Sequence, residues 1–246
     1  MRHERAYLLA EMAAVSALAW IYLIRMPMSA ADFGGLAARI AAPLPSPVVD
    51  FSICFLMWAV MMVAMMLPSA SPMVLTYARM AGGRGGISVL RTWMFAGGYL
   101  AVWTAFSAAA TVAQLVLARA AVLTNALTVA PIVGGAILAA AGIYQFTPWK
   151  RACLRHCQSP VAFFMTRWRD GAPGAFQMGL QHGASCVGCC WLLMALLFVA
   201  GVMNLAWVAS ITIFVLLEKL IPYPRAVSFT AGCAFIIAGV MVLLQR

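Results

Sequence analysis

Long apolar runs are the sequence feature that most restricts how this chain can fold. A helix that crosses a bilayer needs about 20 consecutive, mostly apolar residues, and about seven runs approach that length. Hydrophobic residues make up 65% of the chain and charged residues only 9%, which excludes an ordinary soluble domain. We therefore predict an all-α fold, a polytopic transmembrane helix bundle of about seven spans, as a single domain over residues 1–246.

The predicted spans follow one another along most of the chain. They cover about residues 6–24, 49–67, 92–117, 125–146, 177–201, 205–221 and 227–244. The longest polar connection, residues 147–173, separates the fourth span from the fifth. We expect such a protein in the bacterial inner membrane, with the lipid bilayer as its main partner.

The distribution of basic residues predicts the orientation, because Lys and Arg favour the cytoplasmic side of a membrane. With a cytoplasmic N-terminus, 12 of the 16 Lys and Arg fall inside and four fall outside. This bias predicts an N-in, C-out bundle in which residues 147–173 are cytoplasmic. The net charge of +10 is then explained by topology and by contacts with anionic headgroups, so we do not expect a nucleic-acid partner.

The strongest chemical signal lies at the start of the fifth span. On a helix His182, Cys186 and Cys190 are spaced i, i+4 and i+8, and Cys189 lies three residues after Cys186. One helical face would then present an imidazole and three thiols, which are ligands for Cu(I), Zn(II) or an iron–sulfur cluster. The alternative is packing, since free cysteine behaves as a small buried hydrophobic residue.

A second group of possible ligands lies in the polar connection. Cys153 and Cys157 are spaced i, i+4, and His156 lies beside them. Because this segment leads into the fifth span and is predicted on the same side, we expect one of the three to complete the site on that span. The alternative is a basic interfacial helix in which the cysteines have no special role.

A methionine stripe in the second span could contribute further soft ligands. Met57, Met61 and Met65 share one helical face, and thioethers are selective for Cu(I), although Met is more often a flexible core residue. In the predicted topology, Met61, Met65 and the thiols all lie in the cytoplasmic half of the membrane. If they serve one site, a Met sulfur should lie within about 8 Å of a cysteine sulfur.

The remaining polar and thiol residues carry weaker signals. Glu218 lies near the end of the sixth span, where a charge tends to pair or to line a polar site. Its neighbour Lys219 could simply extend to the interface. We interpret Cys54 and Cys233 as packing residues. The sequence contains no nucleotide-binding loop, HExxH motif or plausible serine-hydrolase arrangement, so it leaves open whether the protein is an enzyme.

Four blocks together resemble a known family. They are Trp58-x-x-Met61-x-x-Ala64-Met65-Met66-x-Pro68, Cys153-Leu-Arg-His156-Cys157-x-Ser-Pro160, Gly179-Leu-x-His182-Gly-x-x-Cys186-x-Gly-Cys189-Cys190-Trp191-x-x-Met194 and Glu218-Lys219-x-x-Pro222. The chain resembles the bacterial family of predicted metal-binding integral membrane proteins of unknown function, from about the second span to the sixth. The resemblance implies metal binding but brings no established reaction or substrate.

These observations favour a membrane protein that binds a soft transition metal, with copper(I) first, for transport or delivery. The inner site would use Cys186, Cys189, Cys190 and His182. Met61 and Met65 would share or pass on the ion, and Cys153, His156 and Cys157 would collect or release it at the cytoplasmic surface. A metallochaperone or another membrane subunit would be the protein partner.

Two alternatives from other functional classes remain open. One is a membrane oxidoreductase or electron-transfer protein that uses the cysteine pairs as redox thiols or iron–sulfur ligands. The other is an assembly subunit that a Cys/His zinc site stabilises.

Overall fold

The computed structural model describes residues 2–25, 47–82, 88–120, 122–123, 128–221 and 224–245. These residues are almost entirely helical, with one isolated antiparallel bridge between Leu123 and Val129, and this confirms the all-α prediction. The helices are Arg2–Arg25 (α1), Pro47–Gly82 (α2), Ser88–Arg119 (α3), Pro131–Gln145 (α4), Pro148–Gln158 (α5), Pro160–Arg167 (α6), Gly171–Ala195 (α7), Leu197–Ala200 (α8), Leu205–Leu220 (α9) and Pro224–Leu244 (α10).

Several of these helices have the length and composition of a membrane span. Five such segments occur in the described part of the chain, namely Ala6–Arg25, Asp50–Gly82, Val89–Arg119, Gly171–Ala200 and Arg225–Leu244. Helices α4 and α5 together also qualify, but the chain bends by 67° between them. Helix α9 has only 16 residues.

Helix α2 continues well past the predicted end of the second span. Pro68 and Pro72 lie inside it, and each proline deprives the carbonyl four residues earlier of its helical partner. The Trp20 indole N–H donates to the Ala64 carbonyl at 3.2 Å, and the Ser71 hydroxyl donates to the Pro68 carbonyl at 2.8 Å. Because both freed carbonyls accept a hydrogen bond, the helix runs on to Gly82.

The predicted fourth span, by contrast, starts later than expected. Residues 128–130 are not helical, and residues 124–127 lie outside the described part of the chain. Ala130 has φ −52° and ψ 145°, an extended conformation that the following Pro131 favours. Helix α4 therefore begins at Pro131.

The predicted polar connection, residues 147–173, is itself mostly helical. Helix α5 starts where the Thr147 side chain accepts a hydrogen bond from the Lys150 amide, with Pro148 in the first turn. Helix α6 follows after Ser159, and α7 begins at Gly171, six residues before the predicted fifth span. The segment thus places Cys153 and Cys157 on a short, defined helix beside α7.

Glycines bring two pairs of helices into close contact. A methyl group at Gly98 or Gly179 would overlap the backbone of the facing helix, so α3 and α7 pack backbone to backbone. Gly142 and Gly239 play the same part between α4 and α10. Helix α3 also packs on α2, which packs on α1, so the core of the protein forms around α2, α3 and α7.

Candidate metal centre

Three buried thiols from two helices meet beside α7. The Sγ atoms of Cys157 on α5 and of Cys186 and Cys189 on α7 all lie within 4.8 Å of one another. Cys186 and Cys189 fall on one face of α7 because they are three residues apart. Cys157 is 7% exposed and the other two are 2% exposed or less, so the group is closed off from solvent.

The spacing of these thiols suits a single metal ion. A metal–sulfur bond is ~2.3 Å long, so two sulfurs bound to one ion lie at most ~4.6 Å apart. The three Sγ atoms already lie near this limit, and the three cysteines are free thiols. Small rotations of the side chains would therefore let all three bind one ion.

Cys186 also contacts two polar side chains from other helices. The Lys219 ammonium at the end of α9 donates to Cys186 Sγ at 3.1 Å and to Ser69 Oγ at 2.8 Å. The Tyr99 hydroxyl lies 3.2 Å from the same sulfur and donates to the Met66 carbonyl at 3.1 Å. The sulfur group thus borders a cation and a phenol, and both reach across to α2.

His182 lies near this group but outside it. Its ring is 1% exposed and stacks on Tyr99, with ring centroids 5.3 Å apart, and on Phe95 at 6.1 Å. Phe163 from α6 contacts it edge-on at 6.0 Å. Among the described residues, neither ring nitrogen has a hydrogen-bond partner. The imidazole is therefore held among aromatic rings with both polar atoms unused.

Cys190 remains close to the group. Its thiol donates to the Cys186 carbonyl at 2.9 Å, and the Cys189 thiol donates to the same oxygen at 3.0 Å. Both bonds are to a backbone atom within α7, the usual partner of a thiol or hydroxyl in a buried helix. Cys190 is 1% exposed and remains available as a further sulfur ligand.

Cys153 and His156 lie on the outer side of the same region. Cys153 is half-buried, and its sulfur packs against Gly188, where a larger residue would collide with it. The Nδ1 atom of His156 lies 3.1 Å from the Ala152 carbonyl, one turn back on α5. Of the three candidates on this segment, the structure thus brings Cys157 into the sulfur group and leaves Cys153 and His156 beside it.

The methionine stripe belongs to the same core. Met57, Met61 and Met65 are at most 1% exposed and lie in the hydrophobic cluster that also contains Cys186. The polar link between α2 and that sulfur runs through Tyr99 and Lys219. Cys54 is likewise fully buried, and Cys233 is half-buried.

Glu218 forms a buried ion pair with partners different from those of its neighbour Lys219. Both Glu218 oxygens lie 2.7–2.8 Å from the ammonium of Lys150 on α5, which also donates to Gln145. Ser228 donates to Glu218 at 2.8 Å. The pair joins α5, α9 and α10 and so fixes the helix that carries Cys157.

Sequence reasoning missed Lys219, Tyr99 and Ser69 as neighbours of the thiols. The available signal was the position of Lys219 at the end of a short apolar run, directly after an acidic residue. Its contact with Cys186 depends on the packing of α9 against α2 and α7, which no spacing within one helix reveals.

Comparison with curated protein sequences gave no match, and comparison with solved structures gave none either. A protein-family profile described as PpoB2, a copper chaperone, matches residues 55–242. That range is more than half of the chain and contains the methionine stripe, the three clustered thiols and Lys219. The chain therefore belongs to the PpoB2 copper chaperone family.

Proposed function

We propose that this protein is a multi-pass bacterial inner-membrane protein that binds copper(I) and delivers it to a partner. The observation that carries the proposal is the buried group of Cys157, Cys186 and Cys189, whose sulfurs lie within 4.8 Å of one another. The copper chaperone description of the family supports the same metal.

The composition of the site favours Cu(I) over the other metals. Thiolates and thioethers are the soft ligands that select Cu(I), whereas a structural zinc site normally has four ligands and an iron–sulfur cluster four cysteines. Within the described residues the group has three members, with no histidine or carboxylate. Zinc or an iron–sulfur cluster would need further ligands, such as Cys190 or His182, to move in.

Lys219 supports the proposal through its charge. Two or three thiolates around one Cu(I) leave a net charge of minus one or minus two, and a buried net charge is costly unless a counter-ion is close. The Lys219 ammonium lies 3.1 Å from Cys186 Sγ and supplies that counter-ion. Tyr99 donates or accepts at the same sulfur, and the core excludes water.

The proposed topology keeps the N-in, C-out orientation with seven spans. The five long helices would cross the bilayer fully, and α4 and α9 would be short spans, since 15 or 16 residues reach only ~22–24 Å. Helices α5 and α6 would lie at the cytoplasmic side and cover the thiols. The twelve-to-four bias of basic residues supports this orientation.

The proposed route of the ion uses ligands at three levels. Met61 and Met65 would hold it weakly, the thiol group would hold it tightly, and Cys153 with His156 would pass it to a metallochaperone or another membrane subunit. Burial of the stripe and the thiols in one core supports the inner part of this route. The half-exposed positions of Cys153 and His156 support the outer part.

The test is the copper content of purified single variants. We expect Cys157→Ser, Cys186→Ser and Cys189→Ser each to lose most of the bound Cu(I), because serine replaces a soft ligand with a hard, protonated one. Protein purified under reducing, oxygen-free conditions with copper, zinc and iron supplied would be analysed for metal per chain. Cys54→Ser is the matched control, since Cys54 is also fully buried but belongs to α2.

Equal copper in all four variants would exclude this site, as would a metal-free wild-type protein. Brown protein with iron and labile sulfide would instead favour an iron–sulfur cluster. Metal-free protein with a disulfide between two of the clustered cysteines would favour redox chemistry.

A further inference from the structure

A cavity lies along α5, and none of the three clustered cysteines is among its lining residues. It has a volume of about 350 Å³ and opens between the end of α4, α5 and the start of α10. Its wall is mainly apolar and includes Phe146, Leu154 and Phe229. Three arginines line the same cavity, namely Arg151, Arg155 and Arg225.

The three guanidinium groups have no carboxylate partner among the described residues. Arg155 Nε donates only to the Arg151 carbonyl, at 3.4 Å. The acidic group nearest in the fold, Glu218, is already bound by Lys150 and Ser228. The cavity therefore carries an uncompensated positive charge beside an apolar wall.

These two properties define the ligand. An apolar wall beside three arginines fits a molecule with a hydrocarbon chain and an anionic head, and basic pockets between membrane helices bind phospholipid headgroups. A volume of about 350 Å³ suits one headgroup with the first part of one chain, while the rest of the lipid would lie outside.

We propose that this cavity binds one anionic phospholipid, with its phosphate on the arginines and one acyl chain against Phe146, Leu154 and Phe229. The inference rests on the membrane location in the proposed function, but it is independent of the metal. Arg151, Arg155 and Arg225, which are among the basic residues that predict the topology, then form a specific binding site.

The cavity is connected to the helix that carries Cys157. Gln158 lines it and donates to the Glu218 carbonyl at 2.7 Å, and Ser228 lines it and donates to the Glu218 side chain. A bound lipid would therefore contact α5 and stabilise the α5–α9–α10 junction.

The experiment measures lipid binding to the full chain in a non-ionic detergent. Dioleoyl phosphatidylglycerol and dioleoyl phosphatidylcholine, which share the same chains, are titrated separately, and native mass spectrometry counts the lipids bound. We expect wild-type protein to bind one phosphatidylglycerol in preference to phosphatidylcholine. In Arg151→Gln/Arg225→Gln this binding should weaken roughly 30-fold, since each basic residue near an anionic headgroup contributes ~1 kcal/mol.

The matched control is Arg167→Gln/Arg169→Gln. It removes the same charge from a polar pocket formed by residues 166–169 and Gln181. We expect its phosphatidylglycerol affinity to change by less than about twofold. Equal weakening in both double variants would show a general surface-charge effect and overturn the proposal.

Two further measurements test whether the ligand is a lipid. Phe229→Ser keeps all three arginines and should still weaken phosphatidylglycerol binding, so unchanged affinity would overturn the proposal. Displacement of the lipid by inorganic phosphate would reassign the cavity to a free anion. Recovery of the wild-type protein from the membrane fraction, and its copper content, are measured separately, so failure of the proposed function is recognised independently.

Discussion

Two buried lysines, Lys150 on α5 and Lys219 on α9, lie near the end of α9 and have different partners. Lys150 is 1% exposed and forms an ion pair with Glu218, with added bonds from Gln145 and Ser228 to the pair. Lys219 is 8% exposed and donates hydrogen bonds to the Ser69 hydroxyl and to Cys186 Sγ. One cation is neutralised by a carboxylate, whereas the other faces sulfur.

Only one of the two lysines has a partner whose charge depends on what the thiols bind. A buried charge in a membrane core is stable when a partner of opposite charge is in contact with it. The Lys150 pair is complete within the protein. Lys219 gains an anionic partner when Cys186 Sγ carries a negative charge, as it does in a copper–thiolate complex.

The largest effect is expected when the ion pair between Lys150 and Glu218 is broken. Glu218→Gln leaves the Lys150 ammonium buried without an anion, which should lower the free energy of unfolding by ~3–5 kcal/mol. Thermal unfolding in detergent, with copper and without it, measures the loss. The double variant Lys150→Met/Glu218→Gln should recover much of the stability, and failure to do so would assign the effect to the lost Ser228 contact.

Replacing Lys219 should have a larger effect on Cu(I) affinity than on the stability of the fold. Lys219→Met removes a charged hydrogen bond to Cys186 worth ~1.5–3 kcal/mol, so Cu(I) affinity should fall roughly 10- to 150-fold. Competition with a colorimetric Cu(I) chelator measures it. Lys219→Arg, which keeps the charge, should retain more affinity than Lys219→Met. Equal losses would show that geometry and not charge governs the contact.

A smaller effect is expected from the phenol on the other side of Cys186. Tyr99→Phe removes one neutral hydrogen bond worth ~0.5–1.5 kcal/mol, so Cu(I) affinity should fall by about tenfold at most. The same chelator competition applies. Tyr77→Phe is the control, because Tyr77 is an equally buried tyrosine in the aromatic cluster of α2, α3 and α6. A larger loss in Tyr77→Phe would indicate a packing effect.

The smallest equilibrium effect is expected from the methionine stripe. Met61→Leu/Met65→Leu conserves volume, so the free energy of unfolding should change by less than about 1.5 kcal/mol per site. Equilibrium Cu(I) affinity should stay close to wild type because the thiols dominate it. The rate at which stopped-flow mixing loads the site should fall, and an unchanged rate would leave the stripe with a packing role.

The long helices could be predicted from the sequence because apolar runs of bilayer length leave the backbone few alternatives to a helix. The predicted end of the second span failed because of a distant partner. Pro68 looked like the end of a span, and only the indole of Trp20 on another helix makes continuation of α2 possible. The late start of α4 has a local cause, because Pro131 favours an extended conformation at Ala130.

The candidate site was partly predictable for a similar reason. The shared face of Cys186 and Cys189 follows from helical spacing, and the position of Cys157 follows from a short connection on the same side. Lys219 and Tyr99 come from other helices, and their approach to Cys186 depends on the glycine contacts between α3 and α7 and on the short length of α9.

The close backbone contacts that Gly98 and Gly179 allow between α3 and α7 have a mechanical consequence for the thiols. With no side chain to compress between α3 and α7, this part of the molecule is stiff, and Cys186 and Cys189 are fixed to it. Cys157 stands on an eleven-residue helix bounded by the Thr147 cap and the break at Ser159. Any change in the distance between Cys157 and the other two sulfurs therefore requires α5, with its Lys150–Glu218 ion pair, to move relative to α7.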